Sequence, residues 1–247
     1  GAGMSVAHNT SSRQLGFVYV SGFQMRFVTS SLRDPLWNAL PTSTAIAPVF
    51  ATSGTGYVTV TTTISDTETD EATLLVDYSV NGGTTWASTT LASASATTGS
   101  VTAATGQVSG ISTASANSLT FVWDSKADGV TATTTAMIRV GGYDSYGGTV
   151  LYRQSAAFTV DNVPLSGPAA QSVSVGTSTA TFTWSDVTDA SSYTVSSTAG
   201  AASTTLSSVT TTSYVDLSPN TLYSFQVRST DAYGNTSTFS SVSSTYT

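Results

Sequence analysis

What most constrains this chain is a two-residue alternation of apolar and polar side chains, repeated in short runs from Val49 onward. In Tyr57-Val-Thr-Val-Thr-Thr-Thr-Ile64, Val58, Val60, Thr62 and Ile64 fall on one side and Thr59, Thr61 and Thr63 on the other. Successive side chains of a strand point to opposite faces, so this run buries one face and wets the other. The habit recurs in 74–78, 119–123, 137–140, 158–160, 180–184, 193–195 and 223–227, between clusters of Gly, Asn, Asp and Ser. Helical periodicity is nearly absent. Regularly spaced short strands predict an all-β chain of tandem antiparallel β-sandwiches rather than parallel βαβ units.

An internal repeat divides the chain. Ile138-Arg-Val140-Gly-Gly-Tyr-Asp144-Ser-Tyr146-Gly147-Gly-Thr149 aligns with Phe225-Gln-Val227-Arg-Ser-Thr-Asp231-Ala-Tyr233-Gly234-Asn-Thr236, and the Asp-x-Tyr-Gly turn falls in register. A strand, turn and strand of this kind reads as the last hairpin of a sandwich. Two prolines and a glycine interrupt the pattern at Asp161-Asn-Val-Pro164-Leu-Ser-Gly167-Pro168. The predicted units are an N-terminal extension (1–46), a first sandwich (47–163) and a second (164–247).

Composition removes several functions. The chain has no Cys, which excludes disulfide scaffolds, Cys-ligated zinc and thiol nucleophiles. A catalytic triad or a His-bound metal would have to use His8, the one imidazole. A net charge of −7 argues against electrostatic capture of nucleic acid or an anionic membrane. No apolar run approaches the roughly 20 residues of a membrane helix, and no signal-peptide pattern opens the sequence. More than a third of the residues are Ser or Thr, yet the 39% hydrophobic content is that of a folded chain. The stretch between Ala87 and Gly110, nearly all Ala, Ser, Thr and Gly, is expected to be a long mobile loop or weak edge strands.

The first forty residues carry Arg13, Arg26 and Arg33 against Asp34. Leu15, Phe17 and Tyr19, then Phe23, Met25 and Phe27, alternate with other residues around Ser21-Gly22, which predicts a hairpin. Asp34-Pro35 ahead of Trp37 predicts one helical turn, with Asp as its cap. A segment this short cannot bury its own aromatics. It is expected to pack on the first sandwich or to donate a strand to another subunit in a filament.

The second unit resembles a fibronectin type III domain. The residues that carry the resemblance are Trp184, Tyr193 and Leu217-Ser-Pro219-Asn220-Thr-Leu-Tyr223-Ser-Phe-Gln-Val227-Arg-Ser-Thr-Asp231-Ala-Tyr-Gly234-Asn235. It implies a corner formed by Leu217 and Tyr223, with the phenol inside and its hydroxyl bonded to backbone upstream, and Trp184 as the core tryptophan. It further implies a spacer or recognition module without catalysis. The first unit resembles bacterial immunoglobulin-like sandwiches of surface and secreted proteins, through Asp77-Tyr78-Ser79-Val-Asn81-Gly82-Gly83-Thr-Thr85-Trp86, Phe121-Val-Trp123-Asp124-Ser and Phe158-Thr-Val-Asp161-Asn162. Within it, Ser79 to Trp86 matches the Asp-box of sialidase propellers with Asn at the usual Asp. One copy reads as a structural hairpin.

The strongest chemical feature is Asp66-Thr-Glu68-Thr-Asp70-Glu71. Four carboxylates in six residues repel unless they are solvated or bridged by a cation. With Asp124 and Asp128 in another loop, Asp66, Glu68, Asp70 and Glu71 are oxygen ligands for a structural calcium ion, although no run has EF-hand spacing. Solvated loop acids are the alternative, and paired catalytic carboxylates of a glycosidase a more distant one. Tyr143, Tyr146 and Tyr233 lie near loops and are candidates for stacking on sugar rings.

The sequence thus predicts a non-enzymatic module of an extracellular or cell-surface protein, acting as a spacer, adhesion or assembly unit. No catalytic residue and no cofactor other than calcium is expected. Partners would be other surface proteins, glycans or further copies of the chain, with no nucleic acid and no membrane insertion. The alternatives are a carbohydrate-binding accessory region of a secreted enzyme and a filament subunit joined by strand donation.

Overall fold

The computed structural model describes residues 38–147, 149–200 and 203–247 in full, and the backbone of three strands within 1–37. Those three are β1 (Ser5–Asn9), β2 (Gln14–Ser21) and β3 (Gln24–Ser30), an antiparallel sheet with β2 in the middle. The expected hairpin is therefore present as β2 and β3, and β1 adds a third strand that places His8 opposite Leu15. The helical turn at Asp34-Pro35 lies outside the described residues.

The next strands are β4 (Thr42–Ser43), β5 (Ala47–Phe50), β6 (Tyr57–Ser65), β7 (Ala72–Ser79), β8 (Ala87–Ser88) and β9 (Leu91–Ala96). They continue as β10 (Thr102–Ala104), β11 (Gln107–Ile111), β12 (Asn117–Asp124), β13 (Thr134–Asp144), β14 (Arg153–Gln154) and β15 (Phe158–Val160). One sheet runs β4-β6-β12-β9, with β5 also on β6; the facing sheet runs β10-β11-β7-β13-β14, with β8 on β7 and β15 on β13. After the linker come β16 (Ser172–Val175), β17 (Ala180–Thr183), β18 (Ser192–Ser197), β19 (Thr204–Ser207), β20 (Thr211–Tyr214), β21 (Leu222–Thr230) and β22 (Ser243–Tyr246). They form a β16-β17-β20 sheet and a β19-β18-β21-β22 sheet. Every pairing is antiparallel in both units.

In each sandwich two consecutive strands, β6 and β7 or β17 and β18, lie in different sheets and pair with strands far along the chain. Such crossings are Greek-key connections between the two sheets of a sandwich. The alternation predicted for β6 holds: Val58, Val60, Thr62 and Ile64 are buried, and their neighbours are not. They face Leu74, Val76, Ile138 and Val140 of the other sheet in one core, while Phe182, Trp184, Tyr193, Phe225 and Val227 form a second core. No helix among the described residues is long and apolar enough to cross a membrane.

The low-hydrophobicity stretch 87–110 is mostly strand. β9 pairs with β12 along its length, and the β10-β11 hairpin adds to β7. Backbone hydrogen bonds do not require bulky side chains. The inward positions Val108 and Ile111, with Leu91, Ala94 and Ala96, suffice to seat these strands on the core. The long-loop alternative is therefore replaced by edge strands.

Candidate functional site

The loop between β6 and β7 turns sharply, with Thr69 at φ 59°. It brings Asp66 and Asp70 to the end of the sandwich where β13 finishes in Asp144. One carboxylate oxygen from each of the three lies within 4.8 Å of the others, and all three residues are buried. Asp66 Oδ1 accepts from the Glu68 backbone N–H at 3.2 Å, and its Oδ2 is buried without a hydrogen-bond partner. Burial, then hydrogen bonding and repulsion from Glu68, and then repulsion from Asp144 push the Asp66 carboxyl above the ordinary range; the Glu68 N–H opposes them. Asp144 accepts from Tyr146 N at 2.7 Å and from Asn38 Nδ2 at 2.8 Å, and Glu68 accepts from Ala39 N at 3.2 Å. The acids therefore also hold the chain that leads in from the N-terminal segment.

Asp124 and Asp128 do not join this group. Asp124 pairs across from Tyr57 at the start of β6, and Asp66 follows its end, roughly 30 Å away at the rise of a strand. Their carboxylates serve the fold instead. Asp128 accepts from Trp123 Nε1 at 2.6 Å and from Thr90 N at 2.8 Å, and its Oδ1 from Thr90 Oγ1 at 2.5 Å. Asp124 Oδ1 accepts from Ala127 N at 3.0 Å. Of the six candidate ligands, Asp66 and Asp70 converge. Asp144 replaces the remote pair, and Glu71 borders the group from an adjoining depression. The sequence signal for Asp144 is its place in the repeated turn, but only the fold puts it beside Asp66 and Asp70, 78 and 74 residues earlier.

The three tyrosines do not form one platform. Tyr143 lines the depression with Glu71, Thr73 and Ser145, and Tyr146 sits in the adjoining turn. Tyr233 belongs to the second sandwich and packs edge-on against Phe50 of the first, with ring centroids 5.6 Å apart. The Ser79 to Trp86 segment is the structural hairpin that the sequence predicts. Ser79 Oγ accepts from Gly83 N at 2.9 Å, Asn81 Oδ1 from Thr85 N at 3.0 Å, and Trp86 Nε1 donates to the Gly83 carbonyl at 3.0 Å. One arrangement escaped the sequence reading: Arg139 lies 4.7 Å from the Trp86 ring centroid and 4.0 Å from that of Tyr152, and pairs with Asp77 at 2.8 Å.

The two sandwiches meet through the loop after β5 and the turn after β21. Gly54 N donates to the Tyr233 carbonyl at 2.8 Å, and Asn235 Nδ2 to the Asp161 carbonyl at 2.9 Å. A Cβ on Gly234, which has φ +81°, would sit 2.4 Å from Thr52 O, so only glycine permits this approach. On the first-sandwich side, Asn162 Nδ2 donates to Ser125 Oγ at 2.9 Å and to the Val130 carbonyl at 2.7 Å, fixing the start of the linker.

The second sandwich has the predicted corner: Tyr223 Oη accepts from Ser218 N at 3.0 Å beside buried Leu217. Trp184 stacks edge-on with Tyr193 at 5.6 Å, and the Tyr193 hydroxyl donates to Asp186 at 2.5 Å. No protein-family model and no curated protein matches the chain. Among solved structures, the FN1-FN3 domains of chicken CNTN1 are similar at 14% identity, covering 95% of this chain and 77% of that one, with a TM-score of 0.48. The structure of FN3tt mut is 22% identical over 33% of this chain and 94% of that one, with a TM-score of 0.29. The corner, the Greek-key order and the aromatic core make the second sandwich a fibronectin type III-like fold in an all-β chain.

Proposed function

We propose that this chain is a non-enzymatic spacer of an extracellular or cell-surface protein, which holds what flanks it at a fixed distance and angle. The junction between the sandwiches carries this reading. Its hydrogen bonds run from Gly54 to Tyr233 and from Asn235 to Asp161, Phe50 and Tyr233 pack across it, and the backbone of residues 52–54 occupies the space that a side chain at Gly234 would need. A recognition module on a free linker has no use for such contacts, whereas a rod requires them.

Self-association through sheet edges is a second reading, favoured by one observation. The strands that end the sheets of the two sandwiches, β4, β9, β10, β14, β16, β19, β20 and β22, contain no lysine, the usual guard against edge pairing, and of them only β14 has a basic residue, Arg153. The carbohydrate reading is weaker because Tyr233 is turned into the junction, away from Tyr143 and Tyr146.

Small-angle scattering of the full chain over a concentration series tests both. A spacer gives one elongated particle whose profile is independent of concentration. A profile that needs an ensemble of hinge angles overturns the rigid spacer, and growth of the particle with concentration favours edge assembly.

A further inference from the structure

Asp66, Asp70 and Asp144 are 9%, 8% and 4% exposed, and their carboxylates share one small region. Like charges buried together are strongly disfavoured unless an opposite charge or a proton joins them. The hydrogen bonds to Asp144 come from Tyr146 N and Asn38 Nδ2, and Asp66 Oδ1 takes the Glu68 N–H. Asp66 Oδ2, by contrast, is buried and accepts nothing. That oxygen is desolvated in a group which already contains two further carboxylates, the arrangement a cation would complete.

We propose that Asp66, Asp70 and Asp144 bind a calcium ion, which ties the loop between β6 and β7 to the turn after β13. The donors are hard oxygens, which select calcium or magnesium over softer metals. Calcium takes 6–8 oxygens in adaptable geometry, whereas magnesium demands a near-ideal octahedron. Three carboxylates on two loops supply part of the larger shell. The adjoining depression, bordered by Glu71, Thr73 and Ser145, admits water for the rest. Through Asn38 on Asp144 and Ala39 on Glu68, the ion would also stiffen the entry of the N-terminal segment. This site goes beyond the spacer reading and stands or falls without it. Metal-free, burial makes Asp66 hold its proton more tightly than an ordinary carboxylate does.

The test is calorimetric titration of the EDTA-stripped full chain with calcium chloride, with magnesium chloride as comparison, followed by thermal unfolding. One ion per chain is expected, with weaker binding of magnesium. At a calcium concentration about 100 times Kd, the first sandwich should melt about 10 °C higher. Asp66→Asn keeps the shape and removes one charge. It should bind calcium at least about tenfold more weakly, roughly the loss of one charge-assisted contact, yet melt in EDTA no lower than the wild type. Asp144→Asn should also weaken binding, and Asp216→Asn, on an exposed loop of the second sandwich, should not. Absence of binding heat and of any calcium-dependent shift in the wild type overturns the proposal. So does undiminished binding by both Asp66→Asn and Asp144→Asn.

Discussion

The Asp-x-Tyr-Gly turn occurs twice, and its copies differ in what surrounds the aspartate. Asp231 is satisfied locally: Oδ1 accepts from Tyr233 N at 2.8 Å and Asn235 N at 2.9 Å, and Oδ2 from Asn235 Nδ2 at 2.9 Å. Asp144 keeps the Tyr146 N–H, but the residue four places on is Gly148 where the other copy has Asn235, so no side-chain amide is available there. Its Oδ2 turns to Asn38 instead, and Asp66 and Asp70 stand beside it. A single difference between two otherwise similar turns thus separates a self-contained joint from an electron-rich opening. The first copy is where we propose a cation, and the second docks on the neighbouring sandwich.

The comparison breaks most clearly at the aspartates. Asp231→Ala leaves two backbone N–H groups and one hydrogen of the Asn235 amide without their acceptor, and should cost about 3–5 kcal/mol in chemical denaturation of the second sandwich. Asp144→Ala loses two bonds but relieves repulsion, so in EDTA it should stay within about 1 kcal/mol of the wild type. Equal losses at the two positions would show that the turns are equivalent after all.

The glycines of the same turns come next. Gly234→Ala forces a Cβ against Thr52 O and Gly54 N, while a Cβ on Gly147 meets nothing within 4 Å among the described residues. Both have positive φ. Gly147→Ala should cost about 1 kcal/mol for the backbone alone. Gly234→Ala should cost about 2–3 kcal/mol and broaden the scattering profile by loosening the junction. An unchanged profile would mean that the close approach does not set the angle between the sandwiches.

A smaller effect is expected at the corner, which the first sandwich lacks. Ala136 stands there at the offset that aligns the repeats with Tyr223. Tyr223→Phe removes the acceptor of the Ser218 N–H and should cost about 1 kcal/mol by urea unfolding.

The subtlest test is pH. Asp66 has its folded pKa raised, so the folded state holds its proton more tightly than the unfolded one. Its stability contribution is fully present below the unfolded carboxylate value and is lost as pH rises through the folded value. Metal-free wild type should therefore gain stability relative to Asp66→Asn as pH falls from neutral through that window. Parallel pH profiles for the two proteins would show that Asp66 carries no shifted proton.

Much of this molecule is legible in sequence. The alternation in β6 named its buried residues, and Leu217 with Tyr223 announced a corner that the fold builds. The Ser79 to Trp86 hairpin was readable because its bonds span only a few residues. The acidic site was half legible. Asp66 and Asp70 stand in a conspicuous run, but nothing in the sequence separates them from Asp124 and Asp128, loop acids whose carboxylates have internal hydrogen-bond partners. Tyr233 lies near a loop as Tyr143 and Tyr146 do, and only the fold turns it into the junction. The strands within 87–110 were obscured because backbone pairing leaves little mark on small polar side chains.

What the sequence determined by itself was local: strand periodicity, turn chemistry and the repeat, each set by residues a few positions apart. What only the tertiary structure decided was which distant loops meet. Asp144 reaches Asp66, and Gly234 reaches Thr52, because Greek-key crossings carry strands remote in sequence to the same end of a sandwich. Electrostatic cost depends on distance and burial, and neither quantity exists until those ends are assembled.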